Sequence, residues 1–419
     1  MNSWIEGANS RETHFPIQNL PFGAAKMPDG SMACVSAIGS FVVNLTALEA
    51  AKLLDAGSDG AVFDQDNLNK FMARGSNAWR SVRNQLADLL KLGGKPDLHS
   101  SSKLQAKVLF PQSAVEMKLP FTVAEYTDFY AGKQHAKNVG TMFRGASDLP
   151  ANWLHIPIGY NGRASTVVVS GTDIRRPNGQ LKPPGSDAPV FGPSKKMDIE
   201  LELGAVVGTG NKMGTPITTA EADEMIFGYV LMNDWSSRDI QAWEYQPLGP
   251  FQGKAFGTSI GAWVVTKDAL EPFRTQLPAR DLPNLPYLEE AGPGLYDINL
   301  KVDMTPKNAA EPTTICQTNY SRMYYSLAQQ LTHHAIGGCQ MNTGDLLGSG
   351  TISGTEPSEF GSLLELSWNG EREIECTGGE TRTFIEDHDR LTMTGWAQGE
   401  DYRIGFGECT GCILPAIKM

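Results

Sequence analysis

The sequence predicts a mainly β protein of the α+β class. A small N-terminal domain, residues 1–118, is followed by a larger domain, residues 119–419, built as a mixed β-sandwich roll. Three observations predict this. Beyond residue 118, segments of strand composition outnumber helical ones and do not alternate with them, as a doubly wound parallel sheet would require. A stretch punctuated by Pro96, Pro111 and Pro120, with Ser100, Ser101 and Ser102 inside it, has the composition of a boundary. A composition of 41% hydrophobic and 20% charged residues is that of a globular chain with a sizeable core.

In chain order, the first domain opens with apolar strand-like residues over 32–43. Asn44 is placed to cap a helix over 45–55 that Gly57 would end. Trp79, Val82, Leu86, Leu89 and Leu90 fall on one helical face, stopped by Gly93 and Gly94. In the second domain, strands are expected at 166–170, 199–207, 226–232, 262–265 and 296–304. Asn369-Gly370, between 364–368 and 372–374, has the signature of a two-residue hairpin turn. A helix is expected over 321–335, with Tyr324, Leu327, Ala328, Leu331 and Ala335 on a single stripe and Gly337 as its stop.

The net charge of −12 comes without any basic cluster, which argues against nucleic acid and anionic membranes as partners. No apolar run approaches the length of a membrane span. The first thirty residues carry Glu6, Arg11, Glu12 and Lys26 where a signal peptide needs an apolar core, so a cytoplasmic protein is expected. The six cysteines are scattered and read as reduced thiols. Cys409 and Cys412 form a lone CxxC with no second half-site. Gly257-Thr258-Ser259-Ile260-Gly261 matches the nucleophile-elbow pattern, but strand-like residues follow it where a helix is needed. Gly208 to Gly214 does not fit a dinucleotide fingerprint, and His333-His334 at the end of an apolar helix reads as structural.

The chemistry concentrates around Asp198-Ile199-Glu200-Leu201-Glu202-Leu203. Read as a strand, this run puts Glu200 and Glu202 on one face and Ile199, Leu201 and Leu203 on the other. Two readings stay open: one solvated face, or carboxylates facing a divalent cation. Tyr126 to Tyr130, with Asp128 inside, is followed by His135 and Arg144. Asp234, at the end of the apolar strand 226–232, precedes Arg238 and Gln241, with Tyr245 and Lys254 close behind. Asp234 could join Asp128, Glu200 and Glu202 as an oxygen ligand.

Longer motifs carry a resemblance. FPIQNLPFG, YTDFY, QHAKNVGTMFRG, DIELELG, LMNDWSSRDIQAWEYQPLGPF, GKAFGTSI, GDLLGSGTISG and FGSLLELSWNG run through essentially the whole chain, from residue 15 to 409 with their companions. On them the sequence resembles the fumarylacetoacetase family. The resemblance implies an SH3-like barrel for the N-terminal domain, a β-sandwich roll that forms a homodimer, and metal-dependent hydrolysis of a carbon–carbon bond in a small diketo acid. It implies Asp128, Glu200, Glu202 and Asp234 as ligands of Mg²⁺ or Ca²⁺, with Lys254 and Thr258 lining the site. It also implies His135 as general base with Glu365 as its carboxylate, and Arg238, Gln241 and Lys254 as oxyanion groups, Lys254 doubling as proton donor. Tyr130, Arg144, Tyr160, Gln241, Tyr245 and Thr351 are implied as substrate contacts. Asn161 departs from the pattern, which implies His there. Relatives with acylpyruvate hydrolase, decarboxylase or isomerase chemistry on the same scaffold are the alternative.

Overall fold

The computed structural model describes residues 1–57, 60–145 and 149–419, apart from the side chain of Arg144. The N-terminal part builds a five-stranded antiparallel sheet in the order Leu109–Pro111, Phe41–Asn44, Met32–Ile38, Phe22–Lys26, Glu116–Lys118. The helix Ser76–Leu90 packs its predicted stripe inward, with Trp79, Val82, Leu86, Leu89 and Leu90 all buried. The first helix is shorter than expected. Asn44 does cap it, accepting from the Ala47 N–H at 2.9 Å, but it covers only Leu45–Ala50. Lys52 takes a left-handed conformation (φ 60°) and Leu53 donates back to the Leu48 carbonyl at 2.9 Å. This Schellman closure ends the helix before Gly57.

Two principal sheets build the larger part, beside smaller two-stranded ones. An eight-stranded mixed sheet runs Gly159–Asn161, Tyr126–Phe129, Leu346–Gly348, Leu201–Val207, Ile226–Asp234, Thr258–Ile260, Val167–Val169, with Val265–Thr266 pairing beside it. A five-stranded sheet runs Thr313–Asn319, Asn299–Thr305, Arg390–Gln398, Arg403–Leu414, Ile174–Arg175. The strand Ile226–Asp234 packs across Arg390–Gln398 and Arg403–Leu414. Leu201, Leu203, Tyr229 and Leu231 thereby share one core with Leu300, Val302, Leu391, Met393 and Phe406. The opposite face of the large sheet, including Val206, Val230, Met232 and Ile260, joins the N-terminal core. Phe227 is the joint there, with its ring 5.1 Å from Trp79, 5.8 Å from Phe71 and 5.9 Å from Phe22. A sheet covered on both faces needs unbroken apolar strands, and Leu201–Val207 and Ile226–Asp234 are buried at every position. Asn299–Thr305, covered on one face, alternates.

Three further expectations are corrected. The run 198–203 is not one strand: Met197–Asp198 pairs with Ser236–Ser237, Leu201–Val207 pairs with Ile226–Asp234, and the chain leaves strand geometry at Ile199 and Glu200. The C-terminal helix starts at Leu327 rather than 321, where Ser326 and Gln329 form a capping box. The Asn369-Gly370 hairpin does not exist. Leu363–Leu366 is a helical turn, opened by Ser362, whose hydroxyl accepts from the Glu365 N–H. Ser362-x-x-Glu365 is a helix-start pattern, and this local signal outweighs the turn-like dipeptide. The true hairpin lies farther on, Ile374–Cys376 against Glu380–Arg382. Ser259 of the elbow-like pattern sits within the strand Thr258–Ile260 and accepts from Trp235 Nε1, which rules out an elbow.

Candidate active site

Four strands or strand ends deliver the acidic side chains to one end of the large sheet. Asp128 comes from Tyr126–Phe129, Glu202 from Leu201–Val207, and Asp234 from the last position of Ile226–Asp234. Glu200 comes from the break just before Leu201. Register explains the convergence: Asp128 pairs with Gly348, the strand of Gly348 pairs with that of Glu202, and Asp234 pairs with Thr258. Gly348 is the spacer. A Cβ there would stand 2.7 Å from Asp128 Oδ1, 2.9 Å from Glu202 Oε2 and 2.5 Å from Met232 Cε.

All four carboxylates are buried, each with an oxygen within 4.8 Å of the others. The solvated-face reading is therefore overturned: Ile199, Leu201 and Leu203 enter the core, while Glu200 and Glu202 turn inward to the cluster. Among the described residues, a lysine and an arginine contact the group. Lys254 Nζ lies 2.5 Å from both Glu200 Oε2 and Asp234 Oδ2, and Arg238 Nη1 lies 2.8 Å from Glu200 Oε1. Thr258 Oγ1 and the Tyr160 hydroxyl donate to Asp234 at 3.1 and 3.2 Å. Asp128 Oδ1 and Glu202 Oε1 are buried with no hydrogen-bond partner among the described residues. Burial, then the neighbouring carboxylates, push the pKa values of Asp128 and Glu202 well up. At Glu200 burial is opposed and overcome by Lys254, Arg238 and His135, which hold it low. Unpaired, hard oxygen donors at this spacing fit a divalent metal cation.

Beside the cluster, His135 projects from the first turn of the helix Lys133–Arg144. Its Nδ1 is 2.6 Å from Glu365 Oε2, and its Nε2 faces Glu200 Oε1 at 3.8 Å. Glu365 is fully buried and further held by Asn138 Nδ2 at 2.8 Å and the hydroxyls of Ser362 and Ser353 at 2.8 and 2.9 Å. Burial alone would raise its pKa, but the His135 charge and these hydrogen bonds prevail and keep it below the usual carboxylate range. The Tyr130 ring meets the His135 ring edge to face at 5.5 Å.

Arg238 and Gln241 lie on the helix Arg238–Glu244, with Arg238 Nη1 donating to Gln241 Oε1 at 3.3 Å. Arg238 Nη2 is a buried donor with no partner among the described residues, and so is free to bind an anionic oxygen. Burial opposes the Lys254 charge, but the Asp234 and Glu200 carboxylates outweigh it and hold Lys254 firmly protonated. An ammonium held between two carboxylates is a weak acid. Thr351 is buried behind Gly132, where an added Cβ would strike its carbonyl. Tyr245 sits outermost, 46% exposed. The side chain of Arg144 lies outside the described residues. Asn161 is exposed and adjacent in strand order to Tyr160, so it faces away from Asp234.

Sequence reasoning assigned no role to Asp198. It is fully buried and accepts from Arg238 Nε at 2.7 Å and from the N–H groups of Leu363 and Leu364 at 2.6 and 3.0 Å. Asn138, Ser353 and Ser362 were missed as well. Only Ser362 had a local signal, its helix-start spacing to Glu365.

Among known families, the fumarylacetoacetate hydrolase C-terminal family matches residues 125–413 and the fumarylacetoacetase N-terminal family matches residues 18–120. The chain belongs to the fumarylacetoacetate hydrolase family. Within the family it is 49% identical to a fumarylacetoacetase of Arabidopsis thaliana, covering 97% of both chains. It is 48% identical to a fumarylacetoacetase of Rattus norvegicus, covering 98% of both. A solved fumarylacetoacetate hydrolase from Exiguobacterium antarcticum superposes with a TM-score of 0.54 at 14% identity, over 94% of this chain and 99% of that one, which speaks to the shared fold alone.

Proposed function

We propose that this chain hydrolyses 4-fumarylacetoacetate to fumarate and acetoacetate, the closing reaction of tyrosine breakdown. The observation that carries the reading is the juxtaposition of the His135–Glu365 pair with the carboxylate cluster, His135 Nε2 lying 3.8 Å from Glu200. It is joined by near-full-length identity to fumarylacetoacetases.

His135 Nε2 takes a proton from water, and the resulting hydroxide oxygen bonds to the carbonyl carbon of the fumaroyl group. Glu365 fixes the imidazole with Nδ1 protonated and stabilises the imidazolium that forms. The oxyanion on that carbon meets Arg238, Gln241 and Lys254, each such donor being worth about 3–4 kcal/mol. The carbon–carbon bond then breaks, its electron pair leaving with acetoacetate as the enolate, and the His135 imidazolium returns its proton to that carbon. Asp128, Glu200, Glu202 and Asp234 would hold Mg²⁺ or Ca²⁺, which supplies Lewis acidity toward the dicarbonyl oxygens. Tyr130, Arg144, Tyr160, Tyr245 and Thr351 are assigned to substrate binding, Arg144 as the partner of a carboxylate.

With this function go an SH3-like closure of the N-terminal sheet, a domain division at residue 118, a homodimer and a cytoplasmic site of action. Among the described residues no helix is long and apolar enough to cross a membrane. The test is the loss of diketone absorbance of fumarylacetoacetate together with the appearance of equimolar fumarate. Absence of turnover with both Mg²⁺ and Ca²⁺, or a higher kcat/KM for simple acylpyruvates, overturns the assignment.

A further inference from the structure

The helix Arg238–Glu244 ends in a carboxylate used by neither the metal cluster nor the His135–Glu365 pair. Glu244 Oε1 accepts the backbone N–H groups of Phe251 and Gly253, both at 2.8 Å, and Oε2 accepts that of Gln252 at 2.9 Å. Three consecutive amides thus converge on one side chain, as in an anion-binding nest. A carboxylate at a helix C-terminus opposes the helix dipole, so the position is not explained by the helix itself.

The next residue in the chain is Lys254. Its N–H donates to the Phe251 carbonyl at 3.1 Å, and that of Ala255 to the same oxygen at 2.9 Å. The turn that sets the Lys254 backbone is therefore the turn that Glu244 caps. Gly253 closes the joint from the other side. Its carbonyl accepts from the Ser237 N–H at 2.8 Å, and a Cβ on it would stand 2.9 Å from both N and Cβ of Gln241. Between helix and turn, Tyr245, Leu248 and Phe251 are 46, 94 and 67% exposed. Apolar side chains left in water add little to hold this excursion in place.

We infer that Glu244 is a positioning residue. It locks the Lys254 turn onto the helix that carries Arg238 and Gln241, making the three oxyanion groups one rigid unit. The inference rests on the proposed function for the role of Lys254, and the geometry adds a residue to which no catalytic duty had been assigned. Loss of the clamp lets the Lys254 ammonium drift relative to Arg238, which costs transition-state stabilisation more than substrate binding.

The experiment is a double-mutant cycle on the metal-loaded full chain with fumarylacetoacetate, using Glu244→Ala, Glu244→Gln and Lys254→Met. Glu244→Ala is expected to lower kcat about 10- to 100-fold, the range for losing a supporting partner, with KM changed much less. Glu244→Gln, which keeps one acceptor oxygen, should fall in between. In the Lys254→Met background, Glu244→Ala should reduce residual turnover less than about twofold, because the group it positions is gone. Wild-type kcat in Glu244→Ala, or losses that multiply in the double mutant, overturns the inference while leaving the hydrolase assignment standing. An inactive wild type overturns the assignment itself. Should Glu244→Ala fail to fold by circular dichroism, the partial loss in Glu244→Gln must vanish in the Lys254→Met background in the same way.

Discussion

Glu365 Oε2 lies 2.6 Å from His135 Nδ1 and receives two serine hydroxyls as well, while Oε1 takes the Asn138 amide, so both carboxylate oxygens are held by fixed donors in a dry site. A carboxylate so fixed orients the imidazole and stabilises its charged form. Glu365→Gln keeps size and polarity but removes the charge, and kcat is expected to fall about 10²- to 10⁴-fold. His135→Ala should fall comparably, and the double variant should be scarcely worse than the poorer single one. Steady-state kinetics decide: near-wild-type turnover in Glu365→Gln would remove the pair from the mechanism.

Removal of divalent metal should abolish activity, with Mg²⁺ or Ca²⁺ restoring it. Metal at a hundredfold excess over its Kd should also stabilise the fold by about 2.7 kcal/mol. Glu202→Gln relieves repulsion within the cluster, so the metal-free variant should melt no lower than metal-free wild type yet gain less from added metal. Gly348→Ala crowds Asp128 and Glu202 and should weaken metal affinity about 10- to 100-fold. Calorimetric titration and thermal melts with and without chelator read these effects. Full activity in protein shown metal-free by elemental analysis would contradict the metal site.

Asp198 joins two parts of the site, holding Arg238 with one oxygen while its carboxylate caps the turn that carries Glu365. Asp198→Asn offers one acceptor oxygen to donors that needed two, and leaves Glu200 as the carboxylate partner of Arg238. Leaving a buried donor without its acceptor costs about 1–3 kcal/mol. Urea denaturation should register that loss, and kcat should fall even where the variant is fully folded. An unchanged denaturation midpoint would show the carboxylate to be dispensable.

Glu290 provides a pH test remote from the metal ligands. Its Oε1 accepts from Ser326, its Oε2 is buried without a partner among the described residues, and burial pushes its pKa up to about 7. The folded protein therefore binds this proton more tightly than the unfolded chain does. Its contribution to stability is undiminished below the ordinary carboxylate value near 4.5 and is lost as pH rises toward 7. Glu290→Gln removes the ionisation, so the thermal midpoint of the variant relative to wild type should rise between pH 5 and pH 8. A difference that does not change with pH would contradict the shift.

The sequence by itself determined the strand-rich class, the buried stripe on Ser76–Leu90, the Asn44 cap and the alternation of Asn299–Thr305, because each depends on residues a few positions apart. Long motifs were enough to name the family and the residues worth inspecting, Asp128, His135, Glu200, Glu202, Asp234, Lys254 and Glu365 among them. Where local signals competed, the sequence misled: Asn369-Gly370 resembled a hairpin turn, while the capping spacing of Ser362 and Glu365 makes a helical turn. Tertiary structure alone decided that the run 198–203 breaks at Ile199 and Glu200, since strand pairing there depends on partners at Ser236 and Asn233. It also decided that Glu200 and Glu202 are buried rather than solvated, because Tyr126–Phe129, Ile226–Asp234 and Leu346–Gly348, which close around them, are brought there from distant parts of the chain. Asp198 and Glu244 acquire their roles the same way. A carboxylate's acceptor geometry becomes specific only once the amides of Leu363 and Leu364, or of Phe251 to Gly253, have been brought to it by the fold.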